Sequence, residues 1–265
     1  MILYSGDLRK RRAAKPMDNY GSFAAYYDLL TADISYHDRC GYFDMLIRRH
    51  GGKKGILLDL ACGTGSLSEE FARLGYDVIG VDSSEEMLQA AFDKKLESGL
   101  DIQYLCQDMT ELDMFGTIDV TICALDGLNH LESVGLLRQA IEKVALFCER
   151  GGLFIFDVNT PYKHENILGN NTFVYDLPEV YCVWQNSFRE EDCSVDIMLD
   201  FFAPQSDGSY LRTGEDFTEI AYPTELLDKL LCEAGFTVEA HYDFDSLSPP
   251  REDSEKLIFV AKKTH

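Results

Sequence analysis

The residues with the clearest chemical pattern are two glycines placed among spaced carboxylates. Gly63 and Gly65 close the run Asp-Leu-Ala-Cys-Gly-Thr-Gly that begins at Asp59, and Asp82 ends the next apolar run along the chain. Glycines leave no side chain in the way, so a ligand can lie against the main chain. A carboxylate such as Asp82 can accept two hydrogen bonds from ribose hydroxyls. The spacing therefore predicts a site for a nucleotide-like ligand.

The elements around this run have the order needed to form such a site. Ile56–Leu60 is mostly aliphatic, as expected of a strand buried on both faces of a parallel sheet. A helical pattern follows the glycines from Ser66 to Leu74. Strand, turn and helix in this order place backbone N–H groups and a helix N-terminus at the carboxyl end of a central strand, where open α/β sheets bind nucleotide-like ligands.

Two ligand classes use this kind of turn. A dinucleotide fingerprint reads G-x-G-x-x-G/A, and Ser68 makes the third position only a partial match. The run from Asp59 to Gly65 instead resembles the first motif of the class I S-adenosylmethionine-dependent methyltransferases. Asp82 supports either class, and a third strand ending in Gln107-Asp108-Met109 favours the methyltransferase. A nicotinamide-dependent oxidoreductase, and a protein that binds S-adenosylmethionine without turnover, stay open as alternatives.

The resemblance implies a fold and a cofactor. The fold is α/β, a doubly wound, seven-stranded, mostly parallel Rossmann-like sheet whose last strand is antiparallel. The cofactor is S-adenosylmethionine, with S-adenosylhomocysteine as product. In the family the residue at Asp108 holds the adenine amine; a surface turn residue is the alternative. The resemblance places the following residues against the cofactor: Tyr20, Tyr27, Asp59, Ala61, Cys62, Gly63, Gly65, Asp82, Ser83, Met87, Asp108, Met109 and Leu125.

A tyrosine-rich segment precedes the first strand. The sequence Phe-Ala-Ala-Tyr-Tyr-Asp from Phe23 resembles the start of many small-molecule methyltransferases, whose N-terminal helices fold over the cofactor as a lid. By that likeness residues 20–50 form a lid in which Tyr20, Tyr27 and Tyr36 line the pocket, Tyr36 among the catalytic residues. An aromatic face also attracts a sulfonium by about 0.5–2 kcal/mol. The alternative is an amphipathic helix whose tyrosines only pack.

The end of the fourth strand carries the polar candidates for catalysis. Asp126, Asn129 and His130 follow the strand Ile118–Ala124, which faces the glycine turn across the cleft of a doubly wound sheet. An amine must lose its proton around methyl transfer, so Asp126 or His130 is predicted to accept a proton or orient the lone pair. Capping of the following helix by Asn129 and His130 is the alternative.

The pattern changes after the fifth strand. Four strand-like runs between Thr172 and Thr218 predict an antiparallel insertion at residues 164–220, similar to the one in sugar-amine N-methyltransferases. It would wall the acceptor site, with Trp184, Tyr181 and Arg212 as candidates, although simple packing explains each of them too. The domain is expected to span residues 17–265, preceded by a flexible extension at residues 1–16.

The composition of the chain limits the class of methyl acceptor that it is expected to use. The chain has 46 acidic and 24 basic residues and a net charge of −22, so it would repel a nucleic acid. The acidic surface could also serve solubility alone. The sequence therefore predicts methyl transfer to a nitrogen, less strongly an oxygen, of a small metabolite, with a protein side chain as a variant.

The cysteines and the apolar runs indicate the cellular compartment in which the protein is expected. Eight cysteines without a C-x-x-C pair indicate a reducing cytoplasm and no metal site. No apolar run is long enough for a membrane span. Whether the chain is a monomer or a homodimer is not readable from the sequence.

Overall fold

The computed structural model describes residues 21–264, in which strands alternate with helices as the sequence predicts. The predicted extension, residues 1–16, and Tyr20 lie outside the described residues. The strands are β1 (Ile56–Leu60), β2 (Asp77–Asp82), β3 (Ile102–Cys106), β4 (Ile118–Cys123), β5 (Cys148–Asn159), β6 (Thr172–Asp176), β7 (Tyr181–Arg189), β8 (Ser194–Pro204), β9 (Tyr210–Ile220), β10 (Phe236–Asp243) and β11 (Lys256–Lys263). The helices are α1 (Gly21–Leu30), α2 (Tyr36–Arg49), α3 (Ser66–Arg73), α4 (Glu85–Ser98), α5 (Val134–Phe147) and α6 (Thr224–Glu233).

The larger sheet confirms the predicted doubly wound topology. Its seven strands have the order β10-β11-β5-β4-β1-β2-β3. Strands β1 to β5 pair in parallel, and β11 runs antiparallel to both of its neighbours. Alternate side chains of each central strand enter two apolar cores: Leu58 and Phe154 pack on the α5 and α6 side, while Leu57 and Ile155 pack on the α2, α3 and α4 side. Burial on both faces explains why these strands read as continuous apolar runs.

The predicted insertion is a separate four-stranded antiparallel sheet with the order β6-β7-β8-β9. Its inner face packs against α1, where the rings of Tyr26 and Phe201 lie 5.3 Å apart. At the other end of the sheet, Asn129 Nδ2 donates to the carbonyl of Ile220 over 2.8 Å, which joins β9 to the loop after β4. The insertion thus touches both the N-terminal helix and the end of the fourth strand.

Two local features were not predicted from the sequence. The helix after β4 starts only at Val134, because Ser133 is its N-cap and its hydroxyl accepts from the N–H of Leu136. Asn129 and His130 therefore do not cap α5; they belong to a short 3₁₀ turn, Gly127–His130. The second feature is a π-helical turn, Lys163–Leu168, that opens the insertion before its first strand. Within residues 21–264, no helix combines the length and the apolarity needed to cross a bilayer.

Candidate active site

A cavity of about 330 Å³ opens at the carboxyl ends of β1, β2 and β4, between α1 and the 3₁₀ turn. Its position is the one expected for an open α/β sheet. Leu60, Thr64, Gln107, Gly127 and Leu131 line it without having been predicted. Most of the predicted residues line the same cavity: Tyr27, Tyr36, Asp59, Ala61, Cys62, Gly63, Asp82, Ser83, Met87, Asp108, Met109, Leu125 and His130.

The two glycines of the turn have different tasks. Both adopt a left-handed backbone conformation, with φ of 54° at Gly63 and 73° at Gly65. A Cβ on Gly63 would meet nothing nearer than Tyr27 Cε1 at 4.0 Å, so its surface is open for a ligand. A Cβ on Gly65 would lie 2.3 Å from Tyr104 Oη and 2.9 Å from Ala91 Cβ. Gly65 is thus required by the protein's own packing and faces away from the open surface at Gly63.

Asp82 is fixed by two main-chain donors. The N–H of Gly63 donates to its Oδ2 over 2.8 Å, and the N–H of Ser84 donates to its Oδ1 over 2.9 Å. Burial raises the pKa of this carboxyl, although the backbone hydrogen bonds oppose the rise. Each oxygen keeps a second lone pair, so the carboxylate can still accept from ligand hydroxyls.

Asp59 has a drier environment at the end of β1. Its side chain is buried and accepts a hydrogen bond from Ser68 Oγ over 2.5 Å. Burial raises the pKa of Asp59 to about 7, with a smaller contribution from the charge of Asp82. Ser68, which weakens the match to a dinucleotide fingerprint, is therefore the hydrogen-bond partner of this carboxyl.

The N-terminal helix is tied to the glycine turn. Asp28 Oδ1 accepts from Thr64 Oγ1 over 2.7 Å, and Asp28 Oδ2 forms an ion pair with Lys94 Nζ at 2.6 Å. This brings Tyr27 over the cavity beside Tyr36, with a hydrogen bond between the two phenols. Burial, then the neighbouring Tyr36, raises the pKa of Tyr27 well above its usual range, so the phenol stays neutral.

Asp126 has partners that the sequence did not indicate. It adopts a left-handed conformation (φ 68°), and its N–H and that of Leu125 both donate to the buried Asp157 carboxylate over 2.9 Å. Its carboxylate forms an ion pair with Lys256 Nζ. Burial alone would raise the pKa of Asp126, but the charges of Lys256 and Lys163 outweigh it and lower the pKa to about 2. A carboxylate this acidic is a weak proton acceptor, which speaks against the predicted catalytic task for Asp126.

His130 lies on the cavity wall, and its ring has two neighbours from strand β9. Its Nε2 is 3.9 Å from Oε1 of Glu219, and the ring of Phe217 lies 5.2 Å from its own ring. The preceding residue, Asn129, is fully buried and accepts from the N–H of Asn159 over 3.0 Å. The 3₁₀ turn is therefore fixed to β5 and β9, and it presents a proton-accepting side chain to the cavity.

Three further charged residues were missed, and two of them come from distant parts of the chain. Glu219 lies on the insertion strand β9, and Lys256 begins β11. Arg39 lies one helical turn after Tyr36 with its guanidinium 4.1 Å above the Phe244 ring. Its Nη1 is buried and has no hydrogen-bond partner among residues 21–264. The available signals were Arg39 at helical spacing from Tyr36 and Glu219 at the end of an apolar strand.

The aromatic and basic candidates of the insertion lie elsewhere. Trp184 Nε1 donates to Asn186 Oδ1 over 2.6 Å within the inner core of the small sheet. Arg212 pairs with Asp200 over 2.6 Å, and Tyr181 stands opposite Phe202. Arg212, Asp200, Tyr181 and Phe202 share the outer face of the small sheet by their strand register. These three candidates are explained by packing and surface pairing.

The sequence matches a methyltransferase domain family over residues 57–152. A putative methyltransferase from Geobacillus sp. (strain WCH70) is 35% identical over 92% of this chain and 99% of its own length. A crystal structure of an S-adenosylmethionine-dependent methyltransferase from Clostridium acetobutylicum is similar with a TM-score of 0.84 and 31% identity, over 93% of this chain and 99% of that one.

A third similarity concerns the fold alone. CalS10, an amino pentose methyltransferase from Micromonospora echinaspora solved with bound S-adenosylmethionine, is similar with a TM-score of 0.71. It has 20% identity and covers 95% of this chain and 100% of that one. The insertion sheet is thus part of an architecture that this chain shares with solved methyltransferases.

Proposed function

We propose that this chain, which belongs to the S-adenosylmethionine-dependent methyltransferases, transfers the methyl group to a nitrogen of a small metabolite, in preference to an oxygen. The observation that carries the proposal is the position of His130 on the cavity wall, opposite the glycine turn and beside a buried carboxylate. Membership of this family removes the nicotinamide-dependent oxidoreductase alternative.

The residues around the cavity suit the cofactor. The open surface at Gly63 leaves room for the ligand's main body, and Asp82 would accept hydrogen bonds from the ribose hydroxyls. Asp108 and Met109 would hold the adenine, and the faces of Tyr27 and Tyr36 would contact the sulfonium.

Arg39 is proposed to hold the carboxylate of the cofactor's methionine part. Its Nη2 pairs with Asp245 over 3.5 Å, but its buried Nη1 has no partner among residues 21–264, which is costly unless an anion satisfies it. The guanidinium lies near the cavity-lining Tyr36, whose pKa its charge lowers against the dominant effect of burial. A guanidinium also suits a carboxylate because it offers several donors in one plane.

When bound, S-adenosylmethionine supplies a methyl group already activated by a sulfonium. The protein's main task is therefore to hold the acceptor in line with the methyl group and to exclude water. The acceptor nitrogen gains a bond and a positive charge, and His130 takes the proton that it releases. Asp157 and Lys256 hold the loop of Leu125 and Asp126, which shapes the acceptor side of the cavity.

Charge supports an amine as acceptor. Three carboxylates, those of Asp59, Asp82 and Asp108, line the cavity, and no lysine or arginine from the described part of the chain lines it with them. The overall charge of −22 also opposes binding of a nucleic acid. A small sugar amine is within this class, because CalS10 acts on an amino pentose and shares the fold.

The same proposal includes a reducing, cytoplasmic setting. All eight cysteines are free thiols, and four of them, Cys40, Cys123, Cys148 and Cys182, are buried. Burial raises the pKa of Cys40 and of Cys148 to about 12, so these thiols stay protonated.

A radiolabel transfer assay tests the proposal. The purified protein is incubated with methyl-labelled S-adenosylmethionine and matched pairs of small compounds, each amine with its hydroxyl analogue. We expect label in the amines, with little in the hydroxyl analogues, in tRNA or in protein. Transfer only to hydroxyl groups, or only to a macromolecule, would contradict the proposal.

A further inference from the structure

We infer that Glu219 is a positioning residue that holds His130 with its proton on Nε2, so that Nδ1 is the nitrogen that takes the proton of the methyl acceptor. The inference rests on the proposed function and assigns a task in it to the insertion sheet. Glu219 lies on β9, 89 positions after His130, and its side chain is only 8% exposed.

The two oxygens of Glu219 face different partners. Oε2 accepts a hydrogen bond from Asn159 Nδ2 over 2.8 Å and lies 3.5 Å from His164 Nε2. Oε1 lies 3.9 Å from His130 Nε2. One oxygen is thus occupied by the protein framework, and the other faces the histidine on the cavity wall.

The orientation of the framework donors is fixed. Lys163 Nζ donates to Asn159 Oδ1 over 2.8 Å, so the amide nitrogen of Asn159 is the atom that faces Glu219. His164 is fully buried, and its Nδ1 lies 2.9 Å from the carbonyl of Cys193, to which only an N–H can donate. Asn159, whose amide nitrogen donates to Oε2, therefore requires an oxygen at that position.

Glu219 is charged despite its burial. Burial would raise its pKa, but the neighbouring imidazoles of His164 and His130 lower the pKa instead. The ionised Oε1 can only accept a hydrogen bond, so it favours a proton on the nitrogen of His130 that faces it.

The same strand also fixes the ring itself. Phe217, two residues before Glu219 and on the same side of β9, packs on the His130 ring. Asn129 bonds the neighbouring carbonyl of Ile220 over 2.8 Å. The ring is held by packing while its Nε2 faces the carboxylate at 3.9 Å. Catalytic hydrogen bonds are often this long in ligand-free structures and tighten when the substrate binds.

The two ring nitrogens of His130 therefore have different roles: Nε2 keeps its proton and faces Glu219, and Nδ1 accepts a proton. The lone pair of the acceptor nitrogen forms the new bond to the methyl carbon. At the same time the carbon–sulfur bond breaks, and the electron pair of that bond stays on sulfur. The proton of the methylated nitrogen then moves to Nδ1, and the imidazolium is stabilised by Glu219 at Nε2. This is the arrangement by which a buried carboxylate orients a histidine base.

Glu219→Gln tests the inference with little change in shape. Because the amide nitrogen of Asn159 requires an oxygen at the Oε2 position, we expect the new amide to place its NH₂ group toward His130. We expect Nε2 to become the unprotonated nitrogen, an inverted tautomer that nitrogen-detected NMR of labelled histidine reports directly. We also expect turnover to fall at least about tenfold, with cofactor affinity within about twofold of wild type.

Glu215→Gln is the matched control, since Glu215 is on the same side of β9 and is also 8% exposed. It should leave the His130 signals and turnover unchanged. The wild-type spectrum, with His130 assigned from a His130→Gln variant, tests the inference even where Glu219→Gln does not fold.

A wild-type His130 that carries its proton on Nδ1, or a folded Glu219→Gln protein with unchanged tautomer and turnover, would overturn the inference. The tautomer is read without an acceptor. A wild-type protein that methylates no amine would therefore overturn the proposed function separately.

Discussion

The half of the cavity formed by β1, β2 and β3 offers a ligand main-chain groups and carboxylates on short consecutive loops. The half at the end of β4 is supported from behind by β5, β9 and β11, through buried ion pairs and amides that come from separate segments. In the first half, Asp82 is held by the N–H groups of Gly63 and Ser84. In the second, Asp126 is held by Lys256, and His130 faces Glu219.

This difference separates binding from chemistry. Main-chain donors do not titrate and need no partner side chain, so the cofactor half depends little on the rest of the fold. The acceptor half needs several charges to be placed together, and each one left unpaired is costly. We therefore expect variants of the acceptor half to affect stability and turnover, and variants of the cofactor half to affect binding.

The largest effect is expected from Lys256→Met. The substitution removes the cation that pairs with the Asp126 carboxylate and lies 3.7 Å from the fully buried Asp157, and it leaves only the more distant Lys163 near them. Breaking a buried pair in this way costs about 3–5 kcal/mol of unfolding free energy. Urea unfolding measures the loss.

The double variant Asp126→Asn with Lys256→Met is the control, and it should regain part of the lost stability because one of the unpaired charges is gone. A single variant as stable as wild type would mean that the acceptor half does not depend on this pair.

An opposite response to pH in the two halves is the next prediction. The pKa of Asp126 falls from 3.8 to about 2 on folding, so its contribution to stability is present above about pH 4 and is lost as the pH falls toward 2. The pKa of Asp59 rises from 3.8 to about 7, so stability instead declines as the pH rises between these values. The Asp126 contribution amounts to about 2 kcal/mol.

Urea unfolding across this pH range measures both effects. Asp126→Asn should remove the acid-side loss and Asp59→Asn the loss near neutral pH, whereas a change at the exposed Asp101 should alter neither. If the unfolding free energy of all three variants depended on pH in the same way, the predicted opposite effects of Asp126 and Asp59 would be wrong.

The smallest effect is expected from Arg39→Met. Loss of a charge-assisted hydrogen bond of about 1.5–3 kcal/mol should weaken binding of S-adenosylmethionine at least about tenfold. Decarboxylated S-adenosylmethionine should bind both proteins equally, because it lacks the group that Arg39 is proposed to hold. Calorimetry measures both affinities.

Arg48→Met is the control for Arg39, because Arg48 is an exposed arginine on the same helix that pairs with Asp44. Equal weakening of both ligands by Arg39→Met would show that the arginine supports α2 rather than the cofactor.

The difference between the two halves of the cavity also explains which features could be predicted from the sequence. The strands, the glycine turn and Asp82 were predictable because their signals are local: an apolar run, left-handed glycines and a carboxylate at a strand end. The insertion was predictable as four antiparallel strands for the same reason. These elements need no knowledge of contacts across the fold.

The acceptor half was predictable only in part. Asp126 and His130 could be placed at the end of β4, but their partners lie far along the chain, at Lys256 and Glu219. Since those pairings depend on where β9 and β11 pack, no spacing rule indicates them. The 3₁₀ turn was missed because Ser133, rather than Asn129, caps α5.

The most direct test of the separation compares Asp82→Ala with His130→Asn, using calorimetry of S-adenosylmethionine and the label transfer assay on one reactive amine. We predict that Asp82→Ala weakens cofactor binding about a hundredfold or more, because at least two hydrogen bonds to a charged group are lost. We predict that His130→Asn keeps cofactor affinity within about twofold and lowers methyl transfer at saturating cofactor about a hundredfold. If both variants lose binding and turnover together, the cavity works as one unit and the account is wrong.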